Sequence, residues 1–286
     1  MIHFVGAGPG AVDLITVRGK SLLEKADLII YAGSLVNPEL LKAAKPDCQI
    51  LNSAVLTLEQ VIAAMVEAAK QGQTIVRLHT GDPSLYGAIR EQMDLLDAYG
   101  LEYEVVPGVS SFCAAAAALK AEYTLPDVSQ SVIITRMEGR TPVPPQEEIS
   151  LLASHKATMV VFLSAGMLDK LTERLLAGGY SENTPAAIVY KASWDDQQVF
   201  RCSVATLAKT AKDHDIQKTA LILIGGFLGS GYQRSKLYDP AFTHEFRDGH
   251  GGPNAAMPRM ARSGDGHGGP NTAMPRMARS GDGNRQ

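Results

Sequence analysis

Two kinds of stretch alternate along the chain from residue 2 to about residue 227. Short apolar runs of strand length are each followed by a longer segment in which the apolar residues recur at helical spacing. In the first half the pattern predicts strands over 2–5, 28–31, 74–78 and 103–106, with helices over 16–26, 58–70, 89–99 and 112–119. Helix 58–70 is the most regular, with Leu58, Val61, Ile62, Met65, Val66 and Ala69 on one face and Gly72 as its stop; Gly100 closes helix 89–99 in the same way. In the second half strands are predicted at 132–135, 158–163, 186–190 and 220–225, with helices at 168–176 and 204–212 and an antiparallel addition at 198–202. Strands that alternate with helices define an α/β protein. A short linker at 127–131 divides it into α/β domains at 1–126 and 127–234, followed by an extension at 235–249.

The loops after the strands carry the candidate chemistry. The stretch 76–87, VRLHTGDPSLYG, starts as a buried strand and breaks at Thr80-Gly81-Asp82-Pro83, because Gly and Pro each reset the backbone. That turn lies at the carboxyl end of a parallel strand, where α/β proteins keep their ligands. Strand 103–106 likewise ends in Pro107-Gly108-Val109-Ser110-Ser111, where Ser110 or Ser111 is a natural N-cap for an alanine-rich helix suited to close packing on a sheet. The first loop, Gly6-Ala7-Gly8-Pro9-Gly10, can be aligned with a dinucleotide fingerprint through Gly6, Gly8 and Ala11. Its context argues otherwise. Pro9 removes a backbone N–H where a pyrophosphate needs donors, the helix starts several residues late, and strand 28–31 ends in Tyr-Ala-Gly-Ser with no acid to hold a ribose.

Composition narrows the classes. With 286 residues, 45% hydrophobic and 20% charged, the chain can bury a large core. From His250 onward five arginines face two aspartates, a net +3, which leaves −6 on the remainder of a chain whose formal total is −3. An acidic body argues against nucleic acid as a partner. Cys48, Cys113 and Cys202 share no metal-ligand spacing and are odd in number, so neither a zinc site nor a disulfide framework is expected. No export signal or membrane-length apolar run is present, which points to the cytoplasm. The tail repeats itself: His250 to Gly266 recurs as His267 to Gly283 with Ala255 replaced by Thr272, a Gly-, Pro- and Arg-rich sequence expected to be disordered.

Taken together, GAGPGAVDLIT, HTGDPSLYG, VVPGVSS, VVFLSAG and VYKASW resemble, in order, the motifs of the tetrapyrrole (corrin/porphyrin) methyltransferase family, from Ile2 to about Phe227. TRMEGRTPVP and YKASW are most similar to the branch that methylates C11 of precorrin-4 or cobalt-precorrin-4 in cobalamin biosynthesis. The resemblance implies two α/β domains with mixed, largely parallel sheets, an interdomain cleft, a homodimer, and S-adenosylmethionine as cosubstrate with no protein-bound metal. It also implies that Pro9, Thr80, Gly81, Asp82, Leu85, Ser110, Ser111, Leu163, Tyr190, Ala192 and Ala220 hold the donor, largely through backbone.

A donor without phosphate suits a loop that contains Pro9. An activated methyl group needs alignment rather than a nucleophilic side chain, so no catalytic triad is expected, and Asp82 is the one candidate for a direct catalytic part. Two roles are open for it: binding the donor's amino group, or holding the N–H groups of Ser84 and Leu85 to shape the turn. A polycarboxylate macrocycle beside an acidic body calls for local cations, for which Arg90, Arg136, Arg140 and Lys191 are the candidates. Three alternatives stand beside this assignment: methylation at another ring position, a nicotinamide-dependent oxidoreductase built on the first loop, and a non-catalytic binding module.

Overall fold

The computed structural model describes residues 1–243, 245–246 and 249. Met1–Ser235 form one compact unit, and Lys236–Gln286 are a separate one. The duplicated segment 250–286, expected to be disordered, lies outside the described residues.

In chain order the elements of the first half are β1 (Ile2–Gly6), α1 (Val17–Lys25), β2 (Leu28–Tyr31), β3 (Gln49–Asn52), α2 (Leu58–Lys70), β4 (Ile75–His79), α3 (Arg90–Ala98), β5 (Tyr103–Val106) and α4 (Ser111–Leu119). The five strands form one parallel sheet in the order β3-β2-β4-β1-β5. Every residue of β1 and β4 is buried, so neither strand alternates apolar with exposed polar positions; the polar residues they contain, His3, Arg77 and His79, are buried as well. One face packs Ile2, Phe4, Leu28, Ile30 and Ile75 against Val61, Ile62 and Met65 of α2 and Leu96 of α3. The other packs Val5, Ile29, Val76 and Leu78 against Leu23 of α1 and Leu40. Thr57 and Gln60 close a reciprocal capping box at the start of α2. β3 was not expected, because its burial pattern offers no apolar run: Gln49 and Ile50 are exposed.

The second half contains β6 (Val132–Arg136), α5 (Ile149–Ala153), β7 (Thr158–Phe162), α6 (Leu168–Ala177), β8 (Pro185–Tyr190), β9 (Gln198–Ser203), α7 (Leu207–Asp213) and β10 (Ala220–Ile224). Its sheet runs β6-β7-β10-β8-β9. Only the β6–β7 pairing is parallel there, and β9 adds antiparallel to β8 as the sequence predicts. Across both sheets five of eight pairings are parallel, so the fold is mixed and largely parallel. Helices α5 to α7 cover one face through Ile149, Leu171, Leu175 and Leu207. The other face receives α4: Ala114, Ala115 and Leu119 pack with Val160, Ala187, Val189 and Leu223. The alanine run therefore serves close packing on a sheet, the sheet of the other half. The linker is anchored too, since Ser129 Oγ accepts from the Thr158 N–H at 3.1 Å.

Among the described residues no helix is long and apolar enough to cross a membrane, and no group of three or more His, Cys, Asp or Glu is placed to hold a metal.

Candidate active site

Three loops meet at the carboxyl edge of the parallel sheet. Gly8 and Gly81 exchange backbone hydrogen bonds of 3.2 and 2.9 Å, joining the loops after β1 and β4. Gly108, in the loop after β5, lies so close that a Cβ there would sit 2.1 Å from the Gly81 carbonyl oxygen and 2.7 Å from Gly6 Cα. Both neighbours are backbone, so only glycine fits. Asp82 locks this junction. One carboxylate oxygen accepts from the Ser84 N–H at 2.8 Å and from the Ser84 hydroxyl, while the other accepts from the Gly108 N–H at 2.8 Å. Partial burial pulls the carboxyl's pKa up, but the Ser84 hydroxyl and the two backbone N–H groups outweigh it and hold Asp82 below its ordinary value. Of the N–H groups expected to meet the Asp82 carboxylate, that of Ser84 does so, whereas that of Leu85 donates to the Asp82 backbone carbonyl at 3.2 Å, and the second carboxylate oxygen instead reaches Gly108 in a loop that the sequence did not point to.

Thr80 is half-buried with a hydroxyl oxygen that is fully buried and has no partner. Leu85 is half-buried, and Ser110 is buried at the N-cap of α4 without donating or accepting a side-chain cap bond. Ser111 opens the helix and is half-buried. His79, stacked on Phe4, leaves Nε2 without a partner; burial, reinforced by the neighbouring Arg77 charge, pushes it down to about 3. It is a neutral core residue at physiological pH.

Because β10 runs antiparallel to both β7 and β8, the ends of β7 and β8 and the start of β10 share one edge of the second sheet. That edge carries Leu163, Tyr190, Ala192 and Ala220, with Ala220 in register with Tyr190. It meets the loops of the first sheet. The Tyr86 ring lies 5.3 Å from that of Phe162, the Ala11 N–H donates to Ser193 Oγ at 3.0 Å, and Trp194 Nε1 donates to the Pro9 carbonyl at 3.0 Å. The donor residues inferred from the motifs are thus brought to two edges in contact. Leu163 is 63% exposed there, a large apolar side chain held in the left-handed region (φ 52°). Tyr86, Ala88, Lys191, Ser193 and Thr219 share that strained backbone region, and such strain collects at binding and catalytic sites.

The four candidate cations are differently placed. Arg90 is exposed and paired with Asp94 one turn along α3 at 2.7 Å. Arg136 spends its guanidinium on its own loop, donating to the carbonyls of Met137, Thr141 and Pro142 at 3.2, 3.2 and 2.7 Å. Lys191 is paired with Asp196 and its ammonium lies 5.4 and 5.6 Å from the Tyr190 and Trp194 rings. Arg140, carried on the loop that Arg136 shapes, is exposed and has no hydrogen bond or ion pair to another described residue. Two concavities lie elsewhere: one of about 300 Å³ between α6 and α7, bounded by Asp169, Lys212 and Asp215, and one of about 190 Å³ bounded by Ser53, Arg77 and Gln92. Neither is lined by any of the donor residues inferred from the motifs.

Sequence reasoning missed Asn37, Ser193 and Trp194. They occupy the polar groups at the tip of the first loop, since Asn37 Nδ2 donates to the Gly10 carbonyl at 2.9 Å while Ser193 and Trp194 take Ala11 and Pro9. A pyrophosphate loop presents free N–H groups; here the N–H groups of Ala7, Gly8 and Ala11 are bonded within the protein and Pro9 has none, so the loop is poor in the donors that the nicotinamide alternative needs.

An α/β fold of two sheets, with glycine-tight loops facing the edge of the second, defines the class. The chain belongs to the Tetrapyrrole (Corrin/Porphyrin) Methylases, matched over residues 1–208. It is 54% identical over 250 residues to the cobalt-precorrin-4 C(11)-methyltransferase of Methanocaldococcus jannaschii, covering 87% of this chain and 96% of that one. It is 46% identical over 242 residues to the precorrin-4 C(11)-methyltransferase of Mycobacterium tuberculosis, covering 84% and 96%. The X-ray structure of a cobalamin biosynthetic cobalt precorrin-4 methyltransferase superposes with a TM-score of 0.79 at 46% identity, covering 80% of this chain and 96% of that one.

Proposed function

We propose that the chain transfers a methyl group from S-adenosylmethionine to C11 of a precorrin-4-type corrin precursor in cobalamin biosynthesis. The observation that carries this reading is the likeness, over nearly the full length of each relative, to enzymes named for that reaction. The residues at the two facing edges fit the donor. The orphaned, buried Thr80 hydroxyl offers one hydrogen bond to a polar ligand, and the glycines at the three-loop junction let backbone groups approach closely.

Bound S-adenosylmethionine would supply a methyl group on a positively charged sulfur, so that a ring carbon can take it without a nucleophilic side chain. The protein's task is alignment, which is worth about 7–11 kcal/mol in well-oriented reactions. Asp82 fixes the spacing between the loops after β4 and β5, and Thr80, Ser110 and Ala192 line the donor's side. Leu163, Tyr86 and Phe162 present apolar surface at the facing edges, and with ligands bound against it that surface would shield the reacting groups from water. A carboxylate held below its ordinary value is a weak base, so Asp82 positions rather than accepts a proton.

For the macrocycle's carboxylates, Arg140 is the cation with capacity left, and Arg136 holds the loop that presents it. Arg140→Ala is expected to raise KM for the macrocycle about tenfold, the scale of one charge-assisted hydrogen bond, and to leave KM for the donor unchanged. An unaltered macrocycle KM removes Arg140 from the site. The function itself is tested by incubation with methyl-labelled S-adenosylmethionine and a defined corrin precursor: label should enter the macrocycle only when enzyme and both substrates are present, and binding without transfer overturns the reading.

A further inference from the structure

The chain has a single tryptophan, Trp194, and it joins two segments that are 185 residues apart. Its indole N–H donates to the Pro9 carbonyl at 3.0 Å, and its ring lies against Gly10, where a Cβ would fall 2.1 Å from Cδ1 and 2.2 Å from Nε1. Next to it Ser193 Oγ accepts from the Ala11 N–H at 3.0 Å. Two neighbouring residues of one turn thus grip three consecutive residues of the glycine loop.

The turn is braced from within. The Trp194 N–H donates to the Lys191 carbonyl at 3.0 Å, and the Ser193 N–H donates to Gln197 Oε1 at 2.7 Å. Lys191 pairs with Asp196 and lies beside the Trp194 ring. Lys191 and Ser193 both sit in the left-handed region, a strained conformation that these contacts maintain.

The grip is not what keeps the two halves of the unit together. Helix α4 is packed into the core of the second sheet, Arg201 Nη2 donates to the Leu119 carbonyl at 2.9 Å, and Thr158 Oγ1 donates to the Tyr123 carbonyl at 2.9 Å. What the turn does control is the local distance between Pro9 on one edge and, on the other, Tyr190 immediately before the turn and Ala192 within it. All three are donor residues in the reading above.

We propose that Trp194 is a positioning residue for the methyl donor: it clasps the glycine loop to the end of β8 and so sets the width and the carbonyl orientation of the donor's binding groove. This inference rests on the donor assignment of the preceding section. It accounts for the need for glycine at position 10 without any phosphate ligand, because the loop is a receptor for an indole.

Trp194→Phe keeps a ring against Gly10 and deletes the N–H. With one neutral hydrogen bond lost, the dissociation constant for S-adenosylhomocysteine measured by calorimetry should rise about three- to tenfold. KM for the donor should rise with it, while KM for the macrocycle and the melting temperature stay close to wild type, a split that a merely structural residue would not give. Gly10→Ala should weaken S-adenosylhomocysteine binding in the wild-type background and cost distinctly less in a Trp194→Ala background, where the ring it strikes is gone and only the backbone strain at φ 159° remains. Wild-type binding with an unchanged affinity in Trp194→Phe, or additive losses in the Gly10/Trp194 pair, overturns the clasp. If wild-type protein does not bind S-adenosylhomocysteine at all, the donor reading itself fails, and that outcome is distinct. Should Trp194→Phe not fold, wild-type emission decides: a shift on saturation with S-adenosylhomocysteine supports the clasp, and an unmoved spectrum overturns it.

Discussion

Gly108→Ala is expected to lower the melting temperature by roughly 5–10 °C and to abolish methyl transfer. A methyl group there would sit 2.1 Å from the Gly81 carbonyl oxygen and 2.7 Å from Gly6 Cα, inside the van der Waals radii of two other loops. No side-chain rotation relieves the clash, so the loops after β1, β4 and β5 must separate. Overpacking of this kind costs about 1–3 kcal/mol or more, and each kcal/mol moves the midpoint of a domain of this size by about 2–4 °C. Separation also breaks the Gly108 N–H bond to Asp82 and with it the spacing on which alignment depends. Gly139→Ala is the control: its Cβ would meet only Met167 Cε and Sδ at 3.7 and 3.8 Å, ordinary contact distances, so stability should change by less than about 0.5 kcal/mol. Calorimetric melting of both variants, with a transfer assay on each, checks the pair. Equal melting temperatures would mean that the three-loop junction is looser than described.

The second large effect is on acid stability. His79 is 3% exposed and pushed down to about 3 from an ordinary value of 6.5, by burial first and by the nearby Arg77 guanidinium second. As the pH falls below 6.5 the unfolded chain takes up a proton that the folded state refuses until about pH 3. The stability due to neutral His79 is therefore complete above pH 6.5 and is lost progressively through that window. At about 1.4 kcal/mol per pH unit, the loss reaches roughly 2–3 kcal/mol by pH 4.5, a substantial part of the 5–15 kcal/mol that a typical domain possesses. His79→Leu removes the titrating group and should flatten the curve of urea midpoint against pH between 6.5 and 4. Parallel curves for wild type and variant would show that His79 is not the group responsible.

The parts of the site that the sequence disclosed are those written in local backbone chemistry. Gly and Pro in GAGPG, TGDP and VPGV marked the places where strands had to stop, and each of those places is a loop at the carboxyl edge of the parallel sheet. Apolar periodicity located nearly every helix, and it failed at β3, whose exposed Gln49 and Ile50 carry no pattern, and at the five-residue α5. Long-range pairings left less trace. Nothing near Arg136 announces that its guanidinium donates to three carbonyls of its own loop. The attachment of Trp194 to Pro9 depends on how two sheets meet, which neither periodicity nor spacing encodes. Pro9 in the loop and the missing acid after Tyr31 argued against a pyrophosphate, and the structure adds a reason: the N–H groups of Ala7, Gly8 and Ala11 are already bonded within the protein.

The most direct test of the central claim is the position of the transferred methyl group. A precorrin-4-type macrocycle incubated with the enzyme and ¹³C-methyl S-adenosylmethionine should yield a product with one new labelled methyl signal, correlated by NMR with C11. A labelled methyl on any other ring carbon, or an unlabelled macrocycle recovered from enzyme that binds both substrates, would contradict the account.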